Sequence, residues 1–111
     1  MAPPVYSTQF IAALLAADAS AIYTVPDGFV IVVRDISGVI FPGPTSGTNI
    51  EVDCGEFAIF SAEAPPSCTV TFHWEGRVVM PAGQHLQAFN QFGTGSAEVA
   101  IVISGYLLTA P

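Results

Sequence analysis

The chain has 111 residues, room for one domain and too few for two comfortable ones. Nine acidic residues stand against two arginines and no lysine, a net charge of −7, so there is no basic face to neutralise nucleic-acid phosphates or to hold an acidic membrane. Hydrophobic residues make up 51% and charged residues 10%, so the surface either packs against partners or relies on Ser, Thr, Asn and Gln for solubility.

Taken in chain order, the opening MAPPVYSTQ is too polar and proline-rich for a core and predicts an extended arm that docks on a neighbouring copy. FIAALLAADASA follows, an apolar run ending in small residues like the end of a signal peptide; two prolines and no positive charge precede it, which predicts structure instead. Thr8–Ala17 is apolar throughout, and a short helix and a buried strand both fit it. No apolar run reaches the roughly 20 residues that a membrane helix needs.

From Ser20 onward the pattern is β. Ala21–Val25 is rich in β-branched and aromatic residues and stops at Pro26-Asp27-Gly28, a turn signal. Phe29–Ile36 is almost continuously apolar, as a central strand buried on both faces is. Residues 37–48 contain PGPTSG and predict a loop. In Asn49–Cys54 strict alternation turns Ile50, Val52 and Cys54 one way and Asn49, Glu51 and Asp53 the other. Glu56–Ala62 is a further strand, closed by EAPPS.

Cys68–Glu75 alternates with Cys68, Val70, Phe72 and Trp74 inward and Thr69, Thr71, His73 and Glu75 outward. A turn or bulge at Glu75-Gly76 leads to Arg77–Met80, and Pro81-Ala82-Gly83 turns into Gln84–Phe92. The segment GTGS precedes a closing strand over Ala97–Leu108, in which Gly105 suggests a bulge. TVPDGFVIVV and VMPAGQHLQAF share a Pro-x-Gly turn before a strand, an internal echo that suggests two equivalent hairpins. The predicted fold is all-β: a single antiparallel, jelly-roll-like sandwich of about eight strands with an extended N-terminal arm. Residues 1–19 hold the arm and the first strand or short helix; residues 20–111 form the sandwich domain.

The richest stretch chemically is HWEGRVVMPAGQHLQAFN, residues 73–90. Its order of Gly, Pro-x-Gly, His and Asn approaches the second metal motif of the cupins, but every spacing is off by one, and in a strand a slip of one turns a side chain to the opposite face. There is no His-x-His upstream either, since His73 and His85 are the two histidines of the chain. The expectation is therefore no metal and no cofactor, with His73, His85 and Glu75 the candidate ligands of a cupin-like alternative.

No nucleophile with its base and orienter is evident, so no catalytic residue is expected and the protein is not predicted to be an enzyme. Glu51, Asp53 and Glu56 form an acidic group that suits a solvated face. Asp27 and Asp35 are calcium-ligand types, though an Asp at a turn usually bonds its own backbone. Cys54 and Cys68 are expected as buried thiols rather than a disulfide. Phe72, Trp74, Tyr23 and Phe60 alternate as core. Phe89 shares a face with the polar His85, Gln87 and Gln91, so it and Phe92 are candidate contact residues, together with Pro3, Pro4, Val5 and Tyr6 of the arm. At least one of Arg34 and Arg77 is expected to pair with a carboxylate, within the fold or across an interface.

YTVPDGFVIVVRDI (residues 23–36), WEGRVVMPAGQHL (74–86) and ISGYLL (103–108) together resemble a group of small β-sandwich virion proteins of tailed bacteriophages, particularly those of actinobacterial hosts. The resemblance spans roughly residues 20–108. It implies a non-enzymatic capsid accessory, decoration or minor tail protein, located in the virion, that assembles with copies of itself, as a trimer or higher ring, and with neighbouring coat or tail subunits. A cupin-like metal-binding barrel and a carbohydrate-binding sandwich are the alternatives. The last of these requires an exposed aromatic platform, and alternation buries Trp74.

Overall fold

The computed structural model describes residues 5–91 and 97–110. Eight strands are described: β1 (Val5–Ala16), β2 (Ser20–Thr24), β3 (Phe29–Phe41), β4 (Thr48–Cys54), β5 (Phe57–Ala64), β6 (Val70–Met80), β7 (His85–Gln91) and β8 (Glu98–Thr109). Sheet A has the order β1-β8-β3-β6 and sheet B the order β2-β7-β4-β5.

The pairs β1·β8, β2·β7, β3·β6 and β4·β5 are all antiparallel. The chain is therefore one long hairpin with its tip at the β4–β5 turn, folded across itself. The pairs β3·β8 and β4·β7 then zip the folded hairpin into two sheets, which is the jelly roll expected from the sequence. The two Pro-x-Gly turns of the internal echo are equivalent in this plan. Phe29 N donates to Pro26 O at 3.2 Å and Gln84 N to Pro81 O at 3.3 Å, with Gly28 and Gly83 at φ +82° and +87°. The turns lie side by side, since Gly83 N donates to Val25 O at 2.9 Å and Val25 N to Gln84 O at 3.0 Å.

Between the sheets Ile31, Val33, Ile36, Ile40, Ile101 and Ile103 of sheet A meet Ile50, Val52, Leu86 and Ala88 of sheet B, all fully buried. Phe72 belongs to this core, and Tyr23, Phe60 and Trp74 pack against its margin, as alternation predicts. Ring contacts Phe10–Tyr23 and Phe60–Phe72, with centroids 5.1 and 5.5 Å apart, bridge the two sheets.

Several expectations are corrected. Of the helix and the strand that both fit Thr8–Ala17, the strand forms: residues 8–16 lie in β1, whose register slips at Phe10, so that Phe10 and Ile11 both turn inward and the 2-residue alternation breaks there. The arm is a sheet strand from Val5 on, pairing with Leu108 to Gly105 of its own chain rather than a neighbour's. Pro3, Pro4 and Phe92 lie outside the described residues. β3 runs on to Phe41, because Val39 and Ile40 still pair with Thr71 and Val70, and the loop is confined to residues 42–47.

β6 is one strand, with Gly76 and Arg77 out of register opposite Arg34, so of the turn or bulge expected at Glu75-Gly76 it is the bulge that forms. The irregularity near Gly105 lies on its neighbours: Phe10 in β1 and Arg34 in β3 are the unpaired residues. Gly105 instead permits close approach, since a Cβ there would overlap the Val32 carbonyl oxygen. Cys68 precedes β6 and is exposed, whereas Cys54 is buried, and both are free thiols.

Candidate functional site

The tip of the folded hairpin builds a groove. Cys54 ends β4, and the turn Gly55-Glu56 reverses the chain into Phe57, with Gly55 at φ +64°. Gly55 N donates to His85 O at 2.9 Å, pinning this turn to the start of β7. Val78–Met80 at the end of β6 form the opposite wall, and Gln84 and His85 close the side. The resulting groove of about 560 Å³ falls within the ~300–1,000 Å³ usual for small-ligand sites.

Its lining is mixed. Phe57 is 75% exposed, the most exposed large hydrophobic side chain described, with Val79 facing solvent across from it at 59%. Glu56, Gln84 and His85 supply acceptors and donors around this apolar surface. His85 Nδ1 and Thr24 Oγ1 are 2.8 Å apart and hydrogen-bonded, which holds the imidazole and leaves Nε2 for a ligand. Cys54 backs the groove as a buried thiol, pushed up to about 11 by burial and by the neighbouring Asp53 charge. It is not a nucleophile at neutral pH.

The histidines of the cupin-like alternative are on different sheets. His85 starts β7 in sheet B, whereas His73 and Glu75 project from β6 in sheet A, so the three do not form one site. The physical reason is the turn at Pro81-Ala82-Gly83, which carries the chain from β6 in sheet A to β7 in sheet B. What the structure does bring to His73 is Asp35. His73 Nε2 lies 3.6 Å from Asp35 Oδ1 and 3.5 Å from Glu75 Oε1. Asp35 is not a turn residue. It stands in mid-β3, directly opposite Glu75.

Phe89 does share the outer face of sheet B with Gln87 and Gln91, half-buried opposite Ser20 and Glu51. Val5 and Tyr6 fall in β1. Glu51 and Asp53 share that outer face, while Glu56 has left it for the groove. Burial and the Asp53 carboxylate raise Glu51 above its ordinary value. Neither arginine pairs with a carboxylate among the described residues. Arg34 instead lies over the Tyr106 ring at 5.7 Å, and Arg77 is exposed. At the bulge Arg34 meets Tyr106 of β8, while its neighbour Asp35 meets His73 of β6.

Phe57 is the residue that sequence reading missed. A single aromatic at the start of a strand looks like core, but Phe57 opens an edge strand directly after the Gly55-Glu56 turn.

Neither the family models nor the curated protein sequences contain a match to this chain. Among solved structures, the fold is similar to the CBM36-1 domain of a multidomain xylanase from the hindgut metagenome of Trinervitermes trinervoides. The TM-score is 0.53 at 8% identity, over 97% of this chain and 98% of that one. It is also similar to part of dimeric latent PorU from Porphyromonas gingivalis, with TM-score 0.53 at 6% identity; 97% of this chain matches 13% of that one. At these identities the likeness is one of fold.

It corrects the virion reading: a likeness that covers nearly all of both chains is to the CBM36-1 domain of a xylanase, not to a coat or tail protein. The physical reason is that VPDG, PAG and SGYLL are turn and strand signals, which encode a sandwich and not what the sandwich assembles with.

Proposed function

We propose that this protein is a non-catalytic carbohydrate-binding module that takes a neutral glycan in the groove at the β4–β5 tip. The observation that carries this reading is Phe57, an aromatic ring 75% exposed at the mouth of a preformed groove. A sugar ring presents an apolar C–H face and a polar rim. The flat Phe57 ring suits the former, and Glu56, Gln84 and His85 suit the latter. The net charge of −7 disfavours acidic glycans.

The absence of catalysis is part of the proposal. Glycoside hydrolysis commonly employs two carboxylates flanking the scissile bond, and Glu56 is the single carboxylate among the described groove residues. The fold shared with a module of a xylanase supports the same reading.

Affinity electrophoresis in gels containing xylan, mannan, mixed-linkage β-glucan or polygalacturonate tests it. Retardation by at least one neutral polysaccharide, abolished in Phe57→Ala and weakened in Gln84→Ala, is the expected result. Equal mobility of the wild type in every gel, or retardation that survives Phe57→Ala, would overturn it.

A further inference from the structure

On the outer face of sheet A, away from the groove, three side chains converge in a way the proposed function does not use. Asp35 of β3 is the cross-strand partner of Glu75 of β6, and His73 lies two residues before Glu75 on the same face. One ligand-type atom from each of the three lies within 4.8 Å of the others. We propose that Asp35, His73 and Glu75 bind a divalent transition metal of the zinc class.

The spacing is the first argument. At 3.6 and 3.5 Å, His73 Nε2 is too far from either carboxylate oxygen for a good hydrogen bond, which for nitrogen and oxygen falls at ~2.7–3.2 Å. An ion bound tetrahedrally through bonds of ~2.0–2.1 Å sets its ligand atoms about 3.3 Å apart. Bringing His73 and either carboxylate to that spacing thus asks for movements of a few tenths of an ångström in exposed side chains, and the ligand atoms of all three already lie within 4.8 Å of one another.

The ligand chemistry is the second argument. One imidazole nitrogen with two carboxylate oxygens suits zinc, cobalt or manganese, whereas calcium and magnesium favour oxygen alone. The face is solvent-exposed, so water completes the coordination.

The neighbouring arginines are the third. Arg34 adjoins Asp35 in sequence and Arg77 lies two residues from Glu75. Either is long enough to neutralise these acids, yet neither does so among the described residues, and Arg34 is drawn to the Tyr106 ring. Both carboxylates are thus left within 3.6 Å of one imidazole nitrogen. The ligands also sit on two hydrogen-bonded strands rather than on a loop, so their relative positions are fixed by the sheet.

This inference stands apart from the glycan reading, and the experiment keeps them separate. Isothermal titration of the full chain with Zn²⁺ near neutral pH, and the visible d–d spectrum with Co²⁺, are read for wild type, His73→Ala, Asp35→Asn and His85→Ala. The expected result is one ion per chain with tetrahedral Co²⁺ bands. His73→Ala weakens binding beyond the ~10–100-fold that even indirect supporting groups are worth, Asp35→Asn weakens it in the same sense, and His85→Ala leaves it unchanged. Circular dichroism confirms that each variant is folded; the near-isosteric Asp35→Asn carries the test if His73→Ala is not. Wild-type binding no tighter than that of His73→Ala, or loss of the site in His85→Ala, would overturn the proposal. Glycan retardation is unaffected by His73→Ala in either case, because His73 is not part of the groove.

Discussion

Asn90 and Leu15 join the two sheets: Asn90 Nδ2, on β7 of sheet B, donates to the Leu15 carbonyl on β1 of sheet A at 3.1 Å. The same amide nitrogen donates to Ala16 O at 3.1 Å, and Asn90 N donates to Ala19 O at 3.0 Å. Side chain and backbone of one buried residue thus bond the carbonyls where the chain leaves sheet A for sheet B, with Ala19 N also donating to Ala16 O at 3.0 Å.

Asn90→Asp exchanges the amide donor for an oxygen of nearly the same shape. It removes the amide donor from the Leu15 and Ala16 carbonyls, of which Ala16 O keeps Ala19 N at 3.0 Å, and puts a charge among them. We expect a loss of at least ~2–3 kcal/mol, measured as a fall in the urea midpoint at unchanged slope. Asn90→Leu, which adds no charge, should cost less than Asn90→Asp.

The two thiols should differ sharply. Cys68 is exposed, whereas Cys54 is buried with its thiol pushed up to about 11. At pH 8 an aromatic disulfide reagent is expected to modify one thiol per native chain and two per unfolded chain, with Cys68→Ser removing the native reaction. Two fast-reacting thiols in the native protein would contradict the placement of Cys54.

Glu51 gives stability a pH dependence of known sign. Its folded-state value lies above the ordinary 4.5, from burial first and then from repulsion by Asp53 and their hydrogen bond. The folded state therefore holds this proton more tightly than the unfolded chain. Its contribution to stability is largest below pH 4.5 and falls as pH rises through the folded-state value. Glu51→Gln should remove this slope and raise stability at pH 7 by roughly a few tenths of a kcal/mol, reduced by solvent screening. Thermal melts at pH 4 to 8 of both proteins measure it.

Gly105 tests the bulges that cross sheet A. A Cβ at this position would meet the Val32 carbonyl oxygen and, at 3.1 Å, the backbone nitrogen of Arg34, neither of which moves without the ladder. Gly105→Ala should cost roughly 1–3 kcal/mol, the usual range for overpacking, with near-ultraviolet circular dichroism reporting the change around Tyr106. A variant as stable as wild type would show that β3 and β8 have more room than their pairing implies.

Most strands were legible because alternation and turn chemistry are local. Pro26-Asp27-Gly28 and Pro81-Ala82-Gly83 demand a positive-φ glycine in a tight turn, and both form it. Ile50, Val52 and Cys54 could be assigned inward from period 2 alone, and they are. Where the register slips, the period fails. Phe10 with Ile11, and Arg34 with Asp35, each send adjacent residues to the same face, and nothing local in the sequence marks which strand of a pair absorbs the extra residue.

The amino-acid sequence by itself determined an acidic, all-β jelly roll with its core residues on one face of each strand, because side-chain direction in a strand depends on its nearest neighbours along the chain. The sites were decided by the tertiary structure alone. Phe57 is exposed at the start of the edge strand β5, Asn90 is buried because β1 crosses above it, and Asp35 joins His73 and Glu75 because a bulge turns it to the outer face. Each depends on partners 15 or more residues away, and such pairings follow from how the whole hairpin folds upon itself.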